Sequence, residues 1–98
     1  MYQGTVFASE WNRYEIIEYT LMQNWRGDRY ARIVVHNPSW LDDIIQDRHF
    51  IATLADQEGT KVEGMGLQNS IRISGKETKT ITIYFGRQYW PIVNIDLK

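Results

Sequence analysis

The chain has no cysteine, two prolines, no cluster of like charge and no apolar stretch long enough to span a membrane. Each absence excludes something. Without cysteine there is no disulfide-stapled secreted miniprotein, no thiolate zinc site and no cysteine nucleophile. The 11 basic and 12 acidic residues nearly cancel and form no run. That leaves no electrostatic footprint for nucleic acid or for an anionic membrane. No segment approaches the roughly 20 apolar residues of a bilayer span, so no membrane insertion is expected. The opening Met1-Tyr2-Gln3-Gly4 has neither a basic n-region nor an apolar h-region. The start is abrupt. If a leader has been trimmed away and Met1 added, the expected location is extracytoplasmic, in the periplasm or at the cell surface. Otherwise the compartment stays open.

What is present is a globular composition. Hydrophobic residues make up 43% and aromatic residues 13% of 98 residues. That suffices for one domain, residues 1–98, with one core. The clearest pattern runs from Ile71 to Phe85. Ile71 and Ile73 point one way. After the polar Ser74-Gly75-Lys76-Glu77, residues Ile81, Ile83 and Phe85 alternate with Thr82 and Tyr84. Strict alternation marks strands with one buried and one wet face, joined here by a turn or a short crossing loop.

The rest of the chain repeats this pattern in short segments. Thr5–Ala8 reads as a first edge strand. Tyr14–Trp25 reads as a strand, with Ile17, Tyr19 and Leu21 on one face and Tyr14, Ile16, Glu18 and Thr20 on the other. Arg26-Gly27-Asp28 is a turn, and Tyr30–His36 returns with Ala31, Ile33 and Val35 inward. The prolines fall where alternation stops, in Asn37-Pro38-Ser39 and at Pro91. Trp40, Leu41, Ile44 and Ile45 have near-helical spacing, with Ser39 as a candidate N-cap and Asp42 and Asp43 in the first turn. A short helical turn is therefore expected near 40–46. Phe50, Ala52 and Leu54 alternate inward, Gly59 suits a positive φ in the Asp56–Gly59 turn, and Lys61–Glu63 returns as a short strand. Val93, Ile95 and Leu97 read as the inward face of a last strand. The expected fold is all-β: the short strands and turn spacing fit a sandwich or a small barrel, and an antiparallel β-sandwich of about seven to eight strands is the preferred reading. Its expected core is Ile33, Val35, Phe50, Leu54, Ile73, Ile81, Ile83, Phe85, Val93 and Ile95.

Three segments point to a family. Ile33-Val34-Val35-His36-Asn37-Pro38-Ser39 resembles the strand-then-"Asn-x-Ser" break of telokin-like, immunoglobulin-fold domains of bacterial exported proteins and lipoproteins. Phe50–Lys61 is similar to their "Phe-x-Leu-x-Asp-x-x-Gly" hairpin. Ile73–Phe85 looks like their "x-x-Gly-Glu-x-x-x-x-x-Ile-x-Phe" crossing. The resemblance implies an immunoglobulin-like sandwich and carries no specific chemistry. The chain departs from that pattern at its start, which has no lipobox cysteine, and at the longer Trp40–Arg48 segment.

No nucleophile elbow, phosphate loop, His-Glu-x-x-His or paired-carboxylate motif occurs. The serines Ser39, Ser70 and Ser74 sit at turns, where backbone bonding explains them. An enzyme is not expected, nor any cofactor. His36 and His49, with Asp42, Asp43 and Asp47, are the one grouping a small hydrolase or metal enzyme could use. Their spacing fits no ligand motif, and a solvated acidic loop with two surface histidines is the preferred reading. Arg26-Gly27-Asp28 spells an adhesion tripeptide, for which turn chemistry is again the plainer account.

The aromatics carry the functional expectation. Trp11, Trp25, Trp40 and Trp90 fall at segment ends or in loops, and Tyr89-Trp90-Pro91 makes a stiff apolar loop tip. Such rings either cap the core or anchor a partner. The candidate partner-binding residues are Tyr89, Trp90, Arg87, Trp40 and Trp25. The expected function is a non-enzymatic immunoglobulin-like module for protein–protein interaction or envelope assembly. The alternative is a sandwich that binds a carbohydrate or small ligand through Trp25, Trp40, Tyr89 and Trp90.

Overall fold

A computed structural model describes residues 14–66 and 70–98. The segment expected as a first strand, Thr5–Ala8, and the loop residue Trp11 lie outside the described residues. The elements are β1 (Glu15–Gln23), β2 (Asp28–His36), β3 (Asp43–Ile45), a 3-10 turn (Asp47–His49), β4 (Phe50–Leu54), β5 (Lys61–Glu63), β6 (Ile71–Ile73), β7 (Thr78–Arg87) and β8 (Ile92–Leu97). Every ladder is antiparallel. The strands form three small sheets, ordered β1-β2-β7, β3-β6 and β5-β4-β8. No helix among the described residues is long and apolar enough to cross a membrane, which says nothing of a β-barrel.

The alternating apolar residues of all three sheets close on one core. Ala31, Ile33 and Val35 of β2 lie opposite Ile83, Ile81 and Lys79 of β7. Phe50, Ala52 and Leu54 of β4 lie beside Leu97, Ile95 and Ile92 of β8. Ile45, Ile71 and Ile73 bring the two-stranded sheet into the same cluster. Nine of the ten expected core residues are buried in it; Val93 is not. Between Thr53 and Leu54 the partner on β8 jumps from Asn94 to Ile92. Val93 is the extra residue of a bulge and stands 55% exposed, while Ile92 takes the inward place.

A second bulge corrects the reading of β1. Ile16 pairs with Val35 and Glu18 with Val34, so Ile17 is the unmatched residue. The bulge resets the alternation. Ile16 before it and Tyr19 after it face the core, and Ile17 is turned out to solvent. A third irregularity lies between the pairs Asp28–Arg87 and Tyr30–Tyr84. There Phe85 and Gly86 are both buried, and Gly86 takes φ +84, a region glycine enters without penalty.

The turn Ser74–Glu77 is a crossing between sheets. Ile71 and Ile73 pair with β3, whereas Ile81 and Ile83 pair with β2. Asn37 fastens this crossing. It is 1% exposed, its amide nitrogen donates to the carbonyls of Leu41, Ile73 and Ser74, and its side-chain oxygen accepts from the Ser39 amide.

The segment 40–46 is not helical. Ladder pairing with β6 draws Asp43–Ile45 into a strand, and the single 3-10 turn follows it. Of the apolar residues whose spacing suggested a helix face, only Ile45 is buried. Trp40, Leu41 and Ile44 point outward. The Ser39 hydroxyl accepts from the Leu41 amide in a local turn and caps no helix.

Candidate functional site

The turn between β1 and β2 is built by Asn24. Its side-chain oxygen accepts from the amides of Arg26 (2.9 Å) and Asp28 (3.0 Å), and its carbonyl accepts from the Gly27 amide. This leaves Trp25 89% exposed at the tip, with the Arg26 guanidinium 5.4 Å from the centre of its indole.

The β7–β8 loop is tied to that turn. The Gln88 amide donates to the Gly27 carbonyl at 3.1 Å. Arg29 donates through Nε to the Gln88 carbonyl and through Nη2 to the Tyr89 carbonyl, at 3.3 and 3.4 Å. On the far side of the loop the Pro91 carbonyl accepts from the Ala55 amide. The loop so held presents Tyr89, 86% exposed, and Trp90, 44% exposed. Their rings meet edge to face with centroids 5.2 Å apart.

Four of the five residues singled out from the sequence therefore share one end of the molecule: Trp25, Arg87, Tyr89 and Trp90. Trp40 does not. Strand β2 lies between, with Asp28 against Arg87 at one end and His36 against Thr78 at the other. Trp40 belongs to the second end, where the Lys76 ammonium sits 4.6 Å from the centre of its ring.

Asp28 underlies the aromatic end. Asn24 Nδ2 donates to one of its carboxylate oxygens at 2.9 Å and the Tyr84 hydroxyl to the other at 2.8 Å; Arg87 Nε stands 3.9 Å away. The carboxylate of the Arg-Gly-Asp tripeptide is thus turned inward and already bonded. These contacts, that of Asn24 first, hold the Asp28 carboxyl below its ordinary range. The same bond with Asp28 pushes the Tyr84 hydroxyl up. The ionised form of Asp28 is favoured in the folded chain. Its contribution to stability is complete above the unfolded value of about 3.9 and disappears as pH falls through the lower folded value. Asp28→Asn should lower the melting temperature at pH 7 and flatten part of the stability loss as pH falls below about 4. Thermal melts across that range test this, and an unchanged acid slope in the variant would refute it. Asp42, Asp56 and Glu63 are also held low, so they share in the slope that remains.

Of the residues weighed as a metal or hydrolase site, His36, His49 and Asp42 are each engaged elsewhere. His36 Nδ1 meets the Thr78 hydroxyl at 2.9 Å, and His49 Nδ1 accepts from the Gln46 amide in the 3-10 cap. Asp42 pairs with Arg72 at 2.6 Å and accepts from the Gly75 amide. Among the described residues no three His, Cys, Asp or Glu side chains are grouped so as to hold a metal ion.

Sequence reasoning missed Arg29 and the shallow cleft beside it, about 210 Å3, lined by Leu21, Met22, Gln23, Arg29, Pro91 and Ile92. Both depend on the approach of β1 to the start of β8, a long-range juxtaposition that no local spacing encodes. The Asn24–Asp28 network was legible in principle, because an Asn four residues ahead of an Asp around Gly marks a side-chain-closed turn. Searches against protein-family models, curated proteins and solved structures found no match to this chain.

Proposed function

We propose that this chain is a non-enzymatic, immunoglobulin-like β-sandwich module of the telokin-like kind, binding a protein partner or supporting an envelope assembly outside the cytoplasm. One observation carries the reading: Trp25, Tyr89 and Trp90 are exposed together at one end, on two loops bonded to each other and to β4–β5. Exposed, clustered aromatics on a fixed backbone mark interaction surfaces, because their rings bring large contact area at low entropic cost. The sandwich reading draws on antiparallel sheets that share one core and on the crossing between β6 and β7.

The alternative, a carbohydrate or small-ligand site on the same aromatics, favours a flat platform for stacking. Tyr89 and Trp90 stand at 89° to each other and form a wedge, a shape suited to a pocketed protein surface. Trp90→Ala should leave the melting temperature within a few degrees of wild type and weaken capture of the native partner by about tenfold or more. Affinity capture with both proteins, read beside their thermal melts, is the test. Loss of folding would make Trp90 a core cap. Retained capture would remove the aromatic end from the interface. A hit on a glycan array that Trp90→Ala abolishes would favour the alternative.

A further inference from the structure

We propose that the partner presents an acidic, apolar peptide segment, seated in the cleft between β1 and β8 with its carboxylate on Arg29. This rests on the protein-binding reading above and specifies the chemistry that reading leaves open.

Charge complementarity selects the ligand. The two segments that build the aromatic end, 22–30 and 85–92, contain the arginines Arg26, Arg29 and Arg87 and one carboxylate, Asp28. Asp28 is already bonded to Asn24 and Tyr84 and lies near Arg87. In the neighbouring β4–β5 turn, Asp56 is bonded to the amide and hydroxyl of Thr60 and Glu58 is exposed, so what a ligand would complement is the unpaired guanidinium of Arg29 and not a net positive field. Arg26 and Arg29 have no carboxylate within ion-pair distance among the described residues.

Arg29 is the better placed of the two. It is only partly exposed and its guanidinium is oriented by the Gln88 and Tyr89 carbonyls through Nε and Nη2. The other terminal nitrogen has no acceptor among the described residues. A cation fixed in this way, with part of its fork unused, is preorganised for a carboxylate. The walls of the cleft come from residues 21–23 of β1 and from Pro91 and Ile92, with Leu21 and Pro91 their exposed apolar residues. A purely charged ligand would leave these walls uncovered, and a purely apolar one would bury the unused guanidinium donors without an acceptor. A segment alternating acidic and apolar residues satisfies both. Trp25, with Arg26 over its ring, and the Tyr89–Trp90 wedge stand on the two loops that the Gln88–Gly27 bond joins next to Arg29.

The test uses three capped octapeptides, alternating Glu with Leu, Gln with Leu, and Lys with Leu, together with a galacturonate oligomer as a carboxylate source that is not a peptide. Each is titrated into the whole chain at low and moderate salt, with tryptophan fluorescence as the readout. The Glu peptide should bind, more weakly at higher salt, and the Gln peptide should bind about tenfold or more weakly. Arg29→Gln should abolish the difference between the Glu and Gln peptides, and Arg29→Lys should restore part of it. If Arg29→Gln fails to fold, the comparison of Arg29→Lys with wild type on the two peptides decides. Equal binding of Glu and Gln peptides, or binding lost in Trp90→Ala but unaffected by either Arg29 variant, would overturn the inference while leaving the protein-binding reading intact. Binding of the galacturonate oligomer alone would overturn both. No response to any probe would overturn the inference, and partner capture by Trp90→Ala would then report on the broader reading separately.

Discussion

Ile83→Ala should cost about 2–5 kcal/mol of folding stability, a large share of the roughly 5–15 kcal/mol available to a domain of this size. Thr82→Ala, one residue away, should cost about 0.5 kcal/mol or less. Both wild-type residues are β-branched and sit in the middle of β7, so the loss of strand propensity is similar at the two positions. What differs is the face. Ile83 is fully buried against Ala31 of β2 and the Gly64 backbone, whereas Thr82 lies opposite Arg32 on the wet side. Alanine at 83 removes transfer energy and leaves a cavity that sheets on both sides restrain from closing. Paired denaturant melts of the two variants measure the difference. Equal costs would mean that β7 does not present one face to a core.

Gly75→Ala is the second large effect, about 3 kcal/mol, the upper end of what overpacking costs. The reason is not backbone conformation, since Gly75 does not have a positive φ. A Cβ at this position would fall well inside contact distance of the Trp40 carbonyl oxygen. That atom belongs to the backbone and cannot rotate away. The Trp40 strand-to-strand link is itself held by the Asn37 amide and by the Ser39 carbonyl, which accepts from the Lys76 amide. Thermal melts of Gly75→Ala against Gly66→Ala check this. Gly66 has open space around its missing Cβ, so its variant should melt close to wild type. Similar melting of the two variants would dismiss the close approach as unimportant.

Much of the fold was legible because burial here follows period two. Ala31, Ile33 and Val35, then Phe50, Ala52 and Leu54, then Ile81, Ile83 and Phe85 read directly from alternation. The two misplaced apolar residues, Ile17 and Val93, share a cause. Each is the unmatched residue of a bulge, and a single inserted residue inverts the facing of everything beyond it. Alternation carries no mark of where that insertion falls. The 40–46 segment misled for a different reason: its helical spacing was real, but pairing with β6, distant in sequence, decided its conformation. At the candidate site, the exposure of the aromatics follows from their loop positions. The gathering of Trp25 with Tyr89 and Trp90, and the separation of Trp40, follow from the register of β2 on β7, which is a property of the sheet and not of any one segment.

The bulges bear on how copies of this chain behave towards one another. Among the described residues, β1, β7 and β8 each carry a ladder on one side only, and these are the long strands at sheet margins. A straight unpaired margin of that length exposes a row of backbone donors and acceptors on which another chain could grow as a further strand. Each of the three is interrupted by a bulge, at Ile17, at Phe85–Gly86 and at Val93. The remaining marginal strands, β3, β5 and β6, are only three residues long. The bulges therefore shorten each straight margin, to Glu18–Gln23 on β1 and Thr78–Tyr84 on β7, and the irregularities that defeat a simple reading of alternation also reduce the length over which a second copy of this cysteine-free, nearly neutral chain could pair edge to edge.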